Sequence, residues 1–192
     1  MTRLSQKLKA IEDFIRSNEV RSVSFDIDGT VYPIVRVQRR WWWKLVRSFG
    51  DARRFYLIKR TWEGRRKGDA KVPVTEADID FFENFLVSLL DPELVPGEIR
   101  VFIDSLVDRK IEVFFLSDHG ARAKLAALGL GQKGPGINCL VETGQLKPHE
   151  KISGLLAETY RIEPRTHLHL GDRWTDEEQA RLFGCAFRYL RT

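Results

Sequence analysis

Two aspartates separated by a single residue follow a short apolar segment near the start of the chain. In SFDIDGTVYP, residues 24–33, Asp26 and Asp28 come directly after a predicted strand, and Gly29 and Thr30 follow them. A strand end needs only one turn residue, and two carboxylates this close repel each other unless something cationic lies between them. The spacing therefore indicates a site that holds a cation, and a plain turn at Asp28-Gly29 with Asp26 as a helix-capping acid is the alternative.

The elements around this pair alternate between strand and helix. The predicted strands are short and apolar, and they lie at 20–25, 111–116, 137–141, 167–170 and 185–190. The predicted helices lie at 4–16, 98–109, 119–129, 149–160 and 175–183. This order is typical of an α/β fold with a Rossmann-like parallel sheet and helices on both faces.

One segment, residues 33–96, breaks the alternation because its patterns are all helical. We call it the insertion, and we expect it to lie between the first and second strands. The core is then expected to comprise residues 1–32 and 97–192.

Within the insertion the predicted helices are basic and rich in aromatic residues. The first two span 36–49 and 51–63, with Asp51 as the N-cap of the second, and Thr75 is expected to cap a third. Tryptophans 41–43 cannot all face inward on one helix, so we expect at least one of them to be exposed.

Positive charge is concentrated in the same segment. The 192 residues carry a net charge of +5, whereas residues 36–67 alone hold twelve basic and two acidic residues. Basic residues interleaved with aromatic ones suit an anionic substrate, or less favourably single-stranded nucleic acid, which stacks on aromatic rings. Arg39, Arg40 and Arg47 are the candidates for binding such a substrate, and a solvated basic surface is the alternative.

The two cysteines, Cys139 and Cys185, both lie in apolar segments, which favours buried free thiols over a disulfide. Free thiols favour a reducing compartment. Residues 1–17 carry scattered charges, unlike a secretory signal, and no apolar run approaches the roughly 18 residues of a membrane span. We therefore expect a cytoplasmic protein without a membrane partner.

Polar side chains also follow the other predicted strands. The candidates at these positions are Ser117, His119, Lys147, Asp172 and Asp176. Ligands of an open α/β sheet bind beyond the carboxyl ends of its strands, so we expect these side chains to lie near Asp26 and Asp28. Carboxylates suit Mg²⁺, while a lysine and a hydroxyl suit phosphoryl oxygens.

These strand ends resemble the four motifs of the haloacid dehalogenase superfamily of phosphotransferases. DIDGT is similar to the first motif, FFLS to the second, the lysine of GQLKP to the third and GDRWTD to the acidic fourth. The resemblance covers residues 20–33 and about 97–190. By position it implies that the insertion is a helical C1-type cap, which closes over the site and selects the leaving group.

The resemblance implies a phosphatase that forms an aspartyl-phosphate on Asp26. Asp28 would protonate the leaving oxygen and later activate water. An acid at this position implies oxygen leaving groups, and it argues against the dehalogenases and phosphonatases of the family.

The resemblance also implies a cofactor and its ligands. Mg²⁺ would be held by Asp26, the backbone carbonyl of Asp28 and Asp172, with Asp176 orienting this shell. Ser117 and Lys147 would bind the phosphoryl group. His119 is a further candidate for contact with substrate, and a structural residue at the start of a helix is the alternative.

Two classes of function remain open at this point. The first is a Mg²⁺-dependent phosphatase acting on a small phosphorylated compound, nucleotide-like ones included. The second is a binding protein on the same scaffold that holds nucleic acid or an acidic partner. The intact acidic residues favour the enzyme. A phosphomutase would use the same residues, and the sequence does not separate it from a phosphatase.

Overall fold

The computed structural model of the chain describes residues 2–47, 49–64 and 75–192, with the side chains of 45 and 62–64 excepted. In this part of the chain the strands are β1 (Ser22–Asp26), β2 (Glu112–Ser117), β3 (Gly136–Asn138), β4 (His167–Gly171) and β5 (Ala186–Tyr189). The α-helices are α1 (Arg3–Ser17), α2 (Ile34–Arg47), α3 (Phe49–Gly64), α4 (Glu76–Val87), α5 (Gly97–Asp108), α6 (Ala121–Ala127), α7 (Cys139–Thr143), α8 (Glu150–Glu158) and α9 (Trp174–Phe183).

The strands form one parallel sheet in the order β3-β2-β1-β4-β5. Since all neighbouring pairs are parallel, the carboxyl ends of the strands meet at one edge, and β1 lies at the centre. Helices α2, α3 and α4 lie between β1 and β2 in the chain. The predicted fold class, a Rossmann-like α/β core with a helical insertion after the first strand, is confirmed.

Both faces of the sheet are covered, as β2 shows. Val113 and Phe115 belong to the larger apolar cluster, which includes the buried side chains of α1, α5 and α6. Phe114 and Leu116 belong to a second cluster, which includes Ile152 and Leu156 of α8 and Phe183 of α9. Successive side chains of a strand point to opposite faces, so the two clusters are the two sides of one sheet.

One face of the central strands is polar. Ser22 Oγ lies 2.7 Å from His167 Nδ1, and Ser24 Oγ lies 2.8 Å from His167 Nε2 and 2.7 Å from His169 Nδ1. Burial lowers the pKa of His167 to about 3 and also lowers that of His169, so both rings are neutral. This buried ladder ends with His169 Nε2 3.9 Å from Asp176 Oδ1.

The predicted strand over 137–141 is wrong in its second half. β3 ends at Asn138, and helix α7 begins at Cys139. The Asn138 N–H donates to the Glu142 carboxylate at 2.8 Å, a local cap that turns an apolar segment into a helix. The helix predicted from residue 119 begins at Ala121, so His119 precedes it.

In the described part of the insertion, one of the two predicted N-caps is wrong and the other is confirmed. Asp51 is not an N-cap, because it lies in the first turn of α3, which begins at Phe49. Thr75 caps α4 as predicted, and its hydroxyl accepts from a first-turn N–H at 3.1 Å. Trp42 and Trp43 are 59% and 71% exposed, which confirms that the three tryptophans do not all face inward.

Both cysteines are free thiols, as predicted. Cys139 is buried, whereas Cys185 is only partly buried.

The prediction that no segment spans a membrane can be compared with the helices directly. Across the described residues, none of the helices combines the length and the apolar character that crossing a bilayer requires.

Candidate active site

The carboxyl edge of the sheet brings three of the predicted residues into direct contact. Lys147 Nζ lies 2.5 Å from Asp26 Oδ1 and 2.6 Å from Asp176 Oδ1. Asp26 is the last residue of β1, Lys147 follows α7, and Asp176 lies in the first turn of α9. All three side chains are buried, so each charge depends on the others for stabilisation.

The charges at this edge do not balance. Burial raises the pKa of Asp26 to about 8 against the lowering effect of Lys147, and the charges of Asp176 and Asp28 add to the rise. Burial also opposes ionisation of Asp176, but the Lys147 ammonium outweighs it and lowers the pKa of that carboxyl. At this point one ammonium, that of Lys147, faces the two carboxyl groups of Asp26 and Asp176, and a cation bound here would stabilise their ionised forms.

A third carboxylate completes a set that could hold a metal ion. Asp26, Asp172 and Asp176 each place one carboxylate oxygen within 4.8 Å of the others. Asp172 Oδ1 is buried and accepts no hydrogen bond within the described residues, although Arg173 Nε lies 3.7 Å from it. Three carboxylate oxygens, one of which accepts no hydrogen bond, are ligands that fit Mg²⁺. The Asp28 carboxylate is not part of this set.

Two glycines allow these carboxylates to approach the backbone. Gly29 has a φ of +93°, and a Cβ there would lie 2.4 Å from Asp172 Oδ2. A Cβ on Gly171 would lie 2.3 Å from the Asp176 Cβ. Any side chain at either position would displace a member of the acidic cluster.

The Asp28 carboxylate has two partners that sequence reasoning missed. Lys124 forms an ion pair with one of its oxygens, and the Tyr32 hydroxyl donates to the other. Burial disfavours the charge, but Lys124 outweighs it and holds the pKa of Asp28 well below its usual range. Lys124 also donates to Ser117 Oγ at 3.0 Å, and that hydroxyl donates to the His119 carbonyl at 3.0 Å.

The sequence did contain a signal for Lys124. In α6 and its C-cap, Ala121, Leu125 and Leu128 are buried, and Lys124 lies on the same stripe at helical spacing. A lysine is almost never fully buried unless it is paired, so its place in an apolar stripe indicates a buried ion pair. Its partner could not be read from the sequence, because Asp28 lies 96 residues away in the chain.

A cavity of about 390 Å³ opens above these groups. Asp26, Asp28, His119 and Lys147 lie on its core side. The insertion lines the opposite side, chiefly with the apolar side chains of Ile34, Val37, Trp41, Phe55, Phe82 and Leu86. The acidic cluster is therefore at the base of a pocket that is large enough for a small ligand.

The three arginines predicted to bind substrate lie elsewhere. Arg39 and Arg47 are exposed and do not line the cavity. Arg40 is held by an ion pair to Asp91 and donates to a backbone carbonyl at 3.0 Å. Among the described residues of the insertion, the cations that line the cavity are Lys59 and Arg60. The described cavity gives no support to the role predicted for the three arginines, because α2 directs other side chains into it.

The family is established by sequence. A model of the haloacid dehalogenase-like hydrolase family matches residues 20–184. The chain therefore belongs to the haloacid dehalogenase-like hydrolases, as its four motifs predicted. Among curated proteins, none matches the chain.

Solved structures agree on the fold. CbbY from Rhodobacter sphaeroides in complex with phosphate is 15% identical, over 90% of this chain and 87% of that one, with a TM-score of 0.62. β-Phosphoglucomutase from Clostridium difficile is 16% identical, over 88% and 83%, with a TM-score of 0.59. A predicted phosphoglycolate phosphatase from Haemophilus somnus is 16% identical, over 88% and 84%, with a TM-score of 0.59. At these identities the likeness shows the fold alone.

Proposed function

We propose that the protein is a Mg²⁺-dependent hydrolase of phosphomonoesters that works through an aspartyl-phosphate on Asp26. The observation that carries this proposal is the position of the Asp26 carboxylate at the base of the cavity. It lies 2.5 Å from the Lys147 ammonium and belongs to the cluster of three carboxylates. This arrangement supports the proposal, in which the nucleophile, a cation for phosphoryl oxygens and the ligands of the metal lie side by side.

The reaction proceeds in two displacements at phosphorus. An Asp26 oxygen attacks phosphorus, the bond to the ester oxygen breaks, and the departing oxygen keeps the electron pair and takes a proton from Asp28. Asp28, now ionised, then removes a proton from water, whose oxygen attacks the phosphorus. The bond to Asp26 breaks, which restores its carboxylate and releases inorganic phosphate.

The partners of Asp28 bear on both steps. The Lys124 ion pair favours the ionised form of Asp28, which is the form that activates water. For the first step Asp28 must carry a proton on the oxygen that faces the leaving group, so the partner of that oxygen, either Lys124 or the Tyr32 hydroxyl, has to move away. Ser117 must likewise turn its hydroxyl from the His119 carbonyl to hydrogen-bond the phosphoryl group.

Asp26, Asp172, Asp176 and the backbone carbonyl of Asp28 would hold Mg²⁺, which supplies positive charge to the transferred oxygens when bound. Lys147 balances part of the remaining negative charge. In this proposal residues 1–32 and 97–192 form the catalytic core, and the insertion acts as the cap that selects among small phosphorylated substrates.

Turnover of p-nitrophenyl phosphate tests the proposal. We expect phosphate release with Mg²⁺, loss of activity in excess chelator and recovery when Mg²⁺ is restored. Full activity in chelator would contradict the metal site. A phosphoryl group that moves within a sugar phosphate without release of inorganic phosphate would identify a mutase and overturn the hydrolase.

A further inference from the structure

The two sides of the cavity differ in chemistry. The core side presents the charged groups of the site, whereas the insertion side is built from buried apolar side chains. Val37, Phe55, Phe82, Leu86 and Leu89 all line it, and none is more than 8% exposed. A group attached to a phosphoryl bound at Asp26 would extend into this apolar half.

Aromatic surfaces dominate that half. Phe55 and Phe82 are stacked with ring centroids 4.3 Å apart, and Trp41 lines the same wall. The Trp41 Nε1–H is buried and meets no hydrogen-bond acceptor in the described ranges. An aromatic ring gains contact area and favourable ring geometry against such a wall.

A sugar would fit the wall poorly. Each hydroxyl that leaves water must find a new hydrogen-bond partner, or it raises the free energy of the complex. Of the insertion residues at the cavity, Gln38, Tyr56, Lys59 and Arg60 are polar or charged, but the residues with the least exposure are apolar. The wall therefore discriminates against polyhydroxy leaving groups.

We propose that this apolar wall binds the leaving group of an aromatic phosphomonoester. The volume of about 390 Å³ lies near the lower end of the roughly 300–1,000 Å³ usual for ligand pockets, so one or two rings fit beside the phosphoryl group. This inference rests on the proposed function for the phosphoryl end of the substrate and adds to it the class of the leaving group.

Binding tests the inference without turnover. Benzylphosphonate and methylphosphonate share a head group that an ester hydrolase does not cleave, and they differ only in the ring. With wild-type protein and Mg²⁺, calorimetry should show benzylphosphonate bound at least about tenfold more tightly. Equal affinities would overturn the inference.

A pair of variants on α2 locates the effect. Val37→Asp puts a charge on the apolar wall and should abolish the preference for the ring. Val35→Asp makes the same change two residues away at an exposed position that does not line the cavity, and it should keep the preference. Val37→Thr, nearly the same shape with a hydroxyl, is the second variant if Val37→Asp does not fold, and it should weaken the preference several-fold.

Turnover assays distinguish a failure of this inference from a failure of the proposed hydrolase activity. Benzyl phosphate and glucose 6-phosphate are both esters of primary alcohols, so they differ mainly in the group that would meet the apolar wall. We expect kcat/KM to be at least about tenfold higher for benzyl phosphate. Tight benzylphosphonate binding with hydrolysis of neither ester would refute the hydrolase and support the apolar site. Equal hydrolysis with equal phosphonate affinities would support the hydrolase and refute the aromatic leaving group.

Discussion

The strand ends of the sheet and the helices of the insertion meet at one cavity, but they satisfy different physical demands. At the strand ends, buried charges require partners, and Lys147 and Lys124 each contact carboxylates there. On the insertion side the buried part of the wall is apolar and meets a ligand by shape, with Lys59 and Arg60 as its charged members. In the proposed function, the chemistry belongs to this coupled charge network, whereas the choice of substrate belongs to the wall that the insertion supplies.

Substitution of Asp26, the proposed nucleophile at the strand ends, should abolish activity. We expect Asp26→Asn to lower turnover of p-nitrophenyl phosphate at least about a thousandfold, because an amide cannot form the acyl-phosphate. Circular dichroism should stay normal. Asp13→Asn, on the exposed side of α1, is the control and should keep full activity. Retention of more than a few per cent of activity by pure Asp26→Asn would exclude Asp26 as the nucleophile.

Lys124 tests whether the network extends to Asp28. Lys124→Met leaves that carboxylate without its buried cation, and we expect kcat to fall about ten- to a hundredfold. The loss should be similar for aryl and alkyl phosphates, because both leave the same aspartyl-phosphate, whose hydrolysis needs the ionised form of Asp28 that Lys124 favours. Lys9→Met, at an exposed position of α1, is the matched control. An unchanged kcat in Lys124→Met would show that this ion pair takes no part in turnover.

The buried histidines next to the acidic cluster should make the free energy of unfolding depend on pH. The folded pKa of His167 is about 3, below the ordinary value of 6.5, so only the unfolded chain takes up a proton as the pH falls between these values. The free energy of unfolding that depends on this neutral ring is therefore fully present above about pH 6.5. It is lost as the pH falls toward 3, at up to about 1.4 kcal/mol per pH unit. Denaturant unfolding of wild type and His167→Gln at several pH values measures it.

The variant should show a shallower loss of unfolding free energy below about pH 6.5, and the two proteins should run parallel at higher pH. Identical slopes throughout would mean that His167 takes up its proton alike in the folded and unfolded chains. That result would contradict the neutral, hydrogen-bonded ring.

The smallest expected effect concerns the basic charge of the insertion. Arg60 lines the cavity and Arg47 does not, so Arg60→Gln should raise KM for an aryl phosphate with a second acidic group about two- to fivefold. Arg47→Gln should leave it unchanged. A larger effect at Arg47 would restore the original prediction that the outer arginines bind substrate.

Much of the architecture could be predicted because its signals are local. β1 is buried along its whole length, and its apolar character ends at the acidic pair, so its position and its direction toward the site follow from composition. The prediction of a strand over 137–141 failed in its second half because apolar residues suit a strand or a buried helix equally. The cap at Asn138 favours the helix.

Other features depend on contacts between distant parts of the chain. The pairing of Lys124 with Asp28 forms only when α6 packs against β2 and β3, which places it near the carboxyl end of β1. The side of α2 that faces the cavity could not be predicted either. Valine, tryptophan and arginine alternate along this helix, so periodicity alone does not distinguish its two sides. Val37 faces the cavity, whereas Arg39 does not.

The central claim is that Asp26 attacks phosphorus while the insertion only selects the substrate. Acid quenching during turnover, followed by mass spectrometry of the peptides, tests it most directly. The account predicts one added phosphoryl group on Asp26, removed by hydroxylamine and absent from Asp26→Asn. It also predicts the same labelled residue for aryl and alkyl substrates. A phosphoryl group on another residue, or steady turnover with no covalent intermediate at any quench time, would contradict it.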